Sequence, residues 1–66
     1  MRLFRVRWQR EGGSANRSKR RDTYERAARF VDLLLDEDSQ EEWGEIIWVV
    51  IEVAHGTIGP WKEARP

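Results

Sequence analysis

The 66-residue sequence contains no cysteine and a single histidine. Without thiols there is no disulfide framework and no thiolate to hold a metal, and one imidazole cannot build a His-rich metal site. No metal and no cofactor is therefore expected, and cysteine usage leaves the redox compartment open. Long apolar stretches are also missing. The longest, Ile46 to Ile51, falls far short of the roughly 20 residues that carry a helix across a bilayer. Arginines stand near the N-terminus where a signal peptide would place its apolar segment. The expectation is a soluble, non-exported, cytoplasmic protein with no membrane partner. A chain this short buries only about 60% of the surface its unfolded form exposes, and such a core supplies a net stability of roughly 3–5 kcal/mol. That argues against a second domain and a deep cleft, so residues 1–66 are read as a single domain. No internal repeat and no low-complexity tract is present.

What is there argues for a folded chain. Charged residues make up 36% of the sequence and hydrophobic ones 39%, but four tryptophans, two phenylalanines, a tyrosine and a Val/Ile-rich run are crowded into it. Disordered chains are poor in these residue types. Loose segments are expected only at 11–20 and 62–66. The net charge of zero conceals a division: residues 1–22 carry eight cations and two acids, whereas residues 23–66 carry four cations and ten acids. Such a split can mark an anionic partner, or the two halves can neutralise one another within the fold.

Periodicity places the elements. Phe4, Val6 and Trp8 alternate with Arg5, Arg7 and Gln9, the signature of a half-buried strand over 2–10 with a cationic outer face. Glu11 to Asn16 is a glycine-containing loop. Residues 17–22 have no apolar face and are read as a weak edge strand. Asp22 or Thr23 caps a helix in which Tyr24, Ala27, Ala28, Val31, Leu34 and Leu35 form one apolar stripe, widened by Phe30 and Leu33. On its other side Arg29 is within reach of Asp32 or Asp36. The helix should end near Asp36 to Asp38, whose charges oppose its C-terminal dipole. Ser39, Glu42, Trp43 and Gly44 then suggest one short capped turn. Ile46 to Ala54 is the strongest strand, with Ile47, Val49, Ile51 and Val53 directed at the helix. His55 to Thr57 reads as a turn, after which Ile58 to Trp61 can return along the sheet edge.

These elements give an α+β fold, a small antiparallel sheet with one amphipathic helix packed on one face, in the order β-(β)-α-β. The expected core is Phe4, Val6, Trp8, Ala27, Val31, Leu34, Leu35, Ile47, Val49, Ile51 and Val53.

No motif for catalysis emerges. His55 beside Gly56 is a turn residue with no nucleophile motif or enclosing pocket around it. Asp36, Glu37, Asp38, Glu41 and Glu42 lack the spacing of a calcium loop, and Gly12-Gly13 lacks the lysine and hydroxyl of a phosphate loop. The expectation is a non-enzymatic protein without a small-molecule substrate. Two binding readings remain. The second face of the last strand is apolar, and Ile46, Trp48 and Val50 beside Arg5 and Arg7 have the composition of a protein interface, for another protein or a second copy. Alternatively Arg5, Arg7, Arg17, Lys19 and Arg21 on one sheet surface could contact phosphates, with Trp48 stacking on a base. Ile58 and Trp61 could also fold over the Trp48 face and hide it.

Phe4 to Arg10 running into Gly12, Glu25 to Val31 opening the helix, the strand ending in Glu52-Val53, and the closing Gly59-Pro60-Trp61 resemble small orphan proteins encoded by actinobacterial phages and prophages. That resemblance implies an accessory protein acting inside a host cell and assigns no functional residue. A weaker likeness is to the arm-binding domains of tyrosine integrases, in which a basic three-stranded sheet precedes a helix; in this sequence the helix precedes the last strand.

Overall fold

Alternation in the first strand sets the architecture. In the computed structural model, which describes residues 2–13, 16–56 and 60–65, β1 (Arg2–Arg10) turns Phe4 and Val6 into the core, where both are buried. It is flanked by β2 (Arg17–Arg21) and β3 (Ile46–His55), and β3 is followed by the two-residue β4 (Lys62–Glu63). The sheet order is β2-β1-β3-β4, with every neighbouring pair antiparallel. Helix α1 (Tyr24–Leu35) crosses one face of the sheet, and a second helix, α2 (Glu37–Trp43), leads from it into β3. The α+β fold expected from the sequence is the one observed.

The core lies between α1 and the sheet. Ala27 and Leu34 pack with Phe4 and Val6, surrounded by Trp8, Tyr24, Phe30, Val31, Ile46, Val49, Ile51, Val53 and Ala64. Two aromatic contacts fix the helix over β1: Phe4 meets Tyr24 edge-on at 6.1 Å, and Trp8 meets Phe30 at 5.3 Å. Both have the edge-to-face geometry that aligns a ring's positive edge with another's negative face.

Thr23 is the helix cap, its Oγ1 accepting from the Arg26 N–H at 3.1 Å. Asp22 instead pairs with the Arg26 guanidinium. Arg29 reaches back to Glu25 at 2.9 Å rather than forward to Asp32 or Asp36, which keeps the acid N-terminal to the base, the better order along a helix dipole. Asp36 ends α1 with an extended ψ of 135° and begins α2. The short helix therefore starts at Glu37 and not at Ser39. Glu37 and Asp38, unfavourable at the C-terminus of α1, become favourable in the first turn of α2. Gln40 joins the pieces: its Nε2 donates to the Leu35 carbonyl at 2.9 Å and its Oε1 accepts from the Ile46 N–H at 3.1 Å. Gly44 closes α2 at φ 106°, where a Cβ would lie 3.3 Å from the Glu11 carbonyl oxygen.

The start of β3 departs from simple alternation. Trp8 pairs with Val49 and Gln9 with Trp48, but Arg10 pairs with Ile46, so Ile47 is passed over in a bulge. One inserted residue reverses the faces before it. Ile46 thus packs on the core, while Ile47, expected inside, is 59% exposed. From Trp48 to Val53 the expected register holds. Leu35 and Leu33 also point outward, 46% and 65% exposed, on either side of the buried Leu34, because successive helix residues are turned about 100° from one another and the apolar stripe is narrower than its sequence suggests.

Part of the last segment joins the sheet. Lys62 and Glu63 pair with Val53 and Glu52, and the Ala64 N–H donates to the Ile51 carbonyl at 2.7 Å. Residues 17–21, placed partly within a loose segment, form a paired strand along all five residues. Ile58 lies outside the described residues. No helix among those described is long and apolar enough to cross a membrane.

Candidate interaction surface

Residues directly opposite one another in a ladder share a face of the sheet. Arg5 and Arg7 pair with Glu52 and Val50, and Gln9 pairs with Trp48, so all six lie on the face turned away from α1. On β2, Arg20 pairs with Arg5 and Ser18 with Arg7. This open face is therefore built on the two central strands, with an edge strand contributing one more cation.

Its side chains are tied to each other. Glu52 Oε1 accepts from Arg5 Nε at 3.0 Å and Nη2 at 2.7 Å, and Oε2 accepts from Arg7 Nη1 at 3.4 Å. The Arg5 guanidinium stacks over Trp61 at 4.2 Å from the ring centroid, with Arg20 approaching the same ring at 5.9 Å. Arg7 lies 5.8 Å from the Trp48 ring, and Trp48 Nε1 donates to Gln9 Oε1 at 3.2 Å. The chain Trp61–Arg5–Glu52–Arg7–Trp48–Gln9 forms a continuous band across the sheet. Stacking and ion pairing cooperate here, since Glu52 fixes the guanidinium planes that the indoles face. The Glu52 side chain is left only 15% exposed.

Of the residues selected from the sequence for protein binding, Trp48, Val50, Arg5 and Arg7 come together on this face. Ile46 does not: the bulge puts it on the core side. The five cations considered for phosphate contact are divided. Arg17, Lys19 and Arg21 pair with Trp8, Val6 and Phe4 and so lie on the helix side, where Arg21 stacks on Phe30 at 4.9 Å. Of the five, Arg5 and Arg7 lie on the other face. Two members of the band, Glu52 and Trp61, are not among the residues that the sequence selects for binding: Glu52 gains its role only when pairing sets it opposite Arg5, and Trp61 returns to cover Arg5 rather than Trp48. Arg20 approaches the same ring through the hairpin register.

His55 ends β3 exposed, paired with Arg2. No group of three or more His, Cys, Asp or Glu side chains among the described residues is placed to hold a metal ion. No protein-family model, no curated protein and no solved structure matches this chain.

Proposed function

We propose that this chain is a non-enzymatic protein-binding module that engages a partner protein through the open face of its sheet. The observation that carries the reading is the band itself: two tryptophans and two arginines, held by Glu52, on a sheet face that the helices leave uncovered. Tryptophan and arginine are the residues most often found at the energetic centre of interfaces, and their fixed orientations reduce the entropy lost on docking. Val50 adds an aliphatic patch between them. The resemblance to phage-encoded accessory proteins supports a host protein as the partner and the host cytoplasm as the setting.

Comparative affinity capture tests this. Immobilised wild-type chain and a Trp48→Ala chain are exposed to the same host lysate, with folding of both checked by circular dichroism. A protein retained by the wild type and lost from Trp48→Ala supports the reading; identical retained sets overturn it.

A nucleic-acid reading draws on the same face, with Trp48 and Trp61 as stacking surfaces and Arg5, Arg7 and Arg20 as phosphate contacts. It is the less supported, because Glu52 occupies two of those arginines and the strand register sends Arg17, Lys19 and Arg21 to the opposite side. Three contacts would give a slope of log affinity against log salt near −2 to −3, at roughly −0.7 to −0.9 per phosphate. Absence of retention of duplex or single-stranded nucleic acid at low salt removes this reading.

A further inference from the structure

We propose that two copies of this chain associate through their opposite charge poles, α2 of each seated on the helix-side surface of β2 in the other. The first observation is which charges remain unpaired. Five ion pairs form among the described residues, and none involves Arg17, Lys19, Arg20 or Arg21, nor any acid from Asp36 to Glu45. Between the two halves of the sequence, Glu52 with Arg5 and Arg7 and Asp22 with Arg26 form ion pairs, whereas the cations of β2 and the acids from Asp36 to Glu45 pair with no opposite charge among the described residues.

The receiving surface is cationic with apolar ends. Arg17, Lys19 and Arg21 follow one another along the helix side of β2. At the Arg17 end is an open depression lined also by Trp8, Arg10 and Trp43. At the Arg21 end a second is lined by Arg26, Arg29, Phe30 and Leu33. Trp43 is 67% exposed.

The occupant is identified by charge and spacing. In α2, Glu37, Asp38, Glu41 and Glu42 are exposed while Ser39 and Gln40 are partly covered. At 3.6 residues per turn the four carboxylates fall within an arc of roughly 140°. Glu37 and Glu41 are separated by about 6 Å along the helix axis, and alternate residues of a strand by about 6.8 Å. One acidic pair therefore matches Arg17 and Lys19, or Lys19 and Arg21, without distortion. Both surfaces belong to every copy, and a net charge of zero opposes no approach between copies. Trp43 ends α2 and also lines the depression beside Arg17 of its own copy. A two-fold axis near Trp43 places each α2 over the other copy's β2 and closes the assembly as a pair. The open-face band takes no part.

Sedimentation velocity over a concentration series, at about 20 mM and about 500 mM salt, tests the proposal across a fall in Debye length from roughly 20 Å to under 5 Å. A dimer at low salt that weakens about tenfold or more at high salt is expected. A monomer at low salt overturns the proposal and leaves the surface to a partner other than a second copy. Charge reversal provides the specific arm. Arg17→Glu with Lys19→Glu, and separately Glu37→Lys with Glu41→Lys, should each be monomeric, and their equimolar mixture should dimerise again. A mixture without complex overturns the proposal. Should a double reversal fail to fold, Lys19→Gln and Glu41→Gln must each weaken the wild-type dimer, and no change in either refutes it. Trp48→Ala should leave the dimer intact; its loss there would assign the copy interface to the open face instead.

Discussion

Arg5 and Glu52 stand directly opposite each other on the two central strands, and their side chains meet at 2.7 Å on the face that no helix covers. Around this pair Trp61, Arg7 and Trp48 take fixed positions. Replacing Glu52 by Gln removes the charge while keeping the shape. Both guanidiniums then lose their anionic partner, and stability should fall by about 1 kcal/mol, a modest figure because the pair is partly solvated. Urea denaturation followed by tryptophan fluorescence measures it. The same variant should show stronger retention of polyanions at low salt than the wild type, since two arginines are released.

Trp61 is the cover over Arg5. Trp61→Ala should lower stability by about 1 kcal/mol through lost stacking and lost apolar contact, whereas Trp61→Phe should recover part of that loss. Equal losses in the two variants would show that an aromatic face at this position contributes nothing. Chemical denaturation of the three proteins decides between these outcomes.

The bulge makes neighbouring isoleucines unequal. Ile46→Lys places a charge against the core cluster and should cost on the order of 2 kcal/mol or more, while Ile47→Lys on the exposed side should change stability by less than about 0.5 kcal/mol. Thermal melts of both variants test the register directly. A larger loss at Ile47 would mean that alternation continues unbroken to the start of β3.

Gly44 holds the turn between α2 and β3 at φ 106°, beside the Glu11 carbonyl, and its own carbonyl accepts from Arg10 Nη1 at 2.7 Å. Gly44→Ala combines a left-handed backbone with a close contact and should destabilise by about 1–2 kcal/mol. Gly12→Ala, at a positive φ but with no atom near the added methyl, should cost less. A smaller loss at Gly44 than at Gly12 in paired melts would remove the steric part of the argument.

Local pattern was enough to recover most of the architecture. The alternation of Phe4, Val6 and Trp8 with arginines, the i, i+3, i+4 spacing through α1, and the β-branched run in β3 each state which side faces the core, because their periods are those of the strand and the helix. The candidate face was legible to the same extent. Arg5, Arg7, Trp48 and Val50 share it because parity along a strand is a local property. Relations between strands were not legible. The pairing of Arg5 with Arg20 follows from the number of residues in the first hairpin, and a shift of one would have sent Arg17, Lys19 and Arg21 to the open face. The passing over of Ile47 likewise belongs to the meeting of β1 and β3, where Glu11 N–H donates to the Glu45 carbonyl at 2.8 Å and Arg10 bonds Gly44. Trp61 reaches Arg5 only because Lys62 and Glu63 add to the outer edge of β3. Periodicity within a segment fixes which side of that segment is apolar; register, bulges and edge pairing are set by hydrogen bonds between segments far apart in the chain, and those decide which charges stand together.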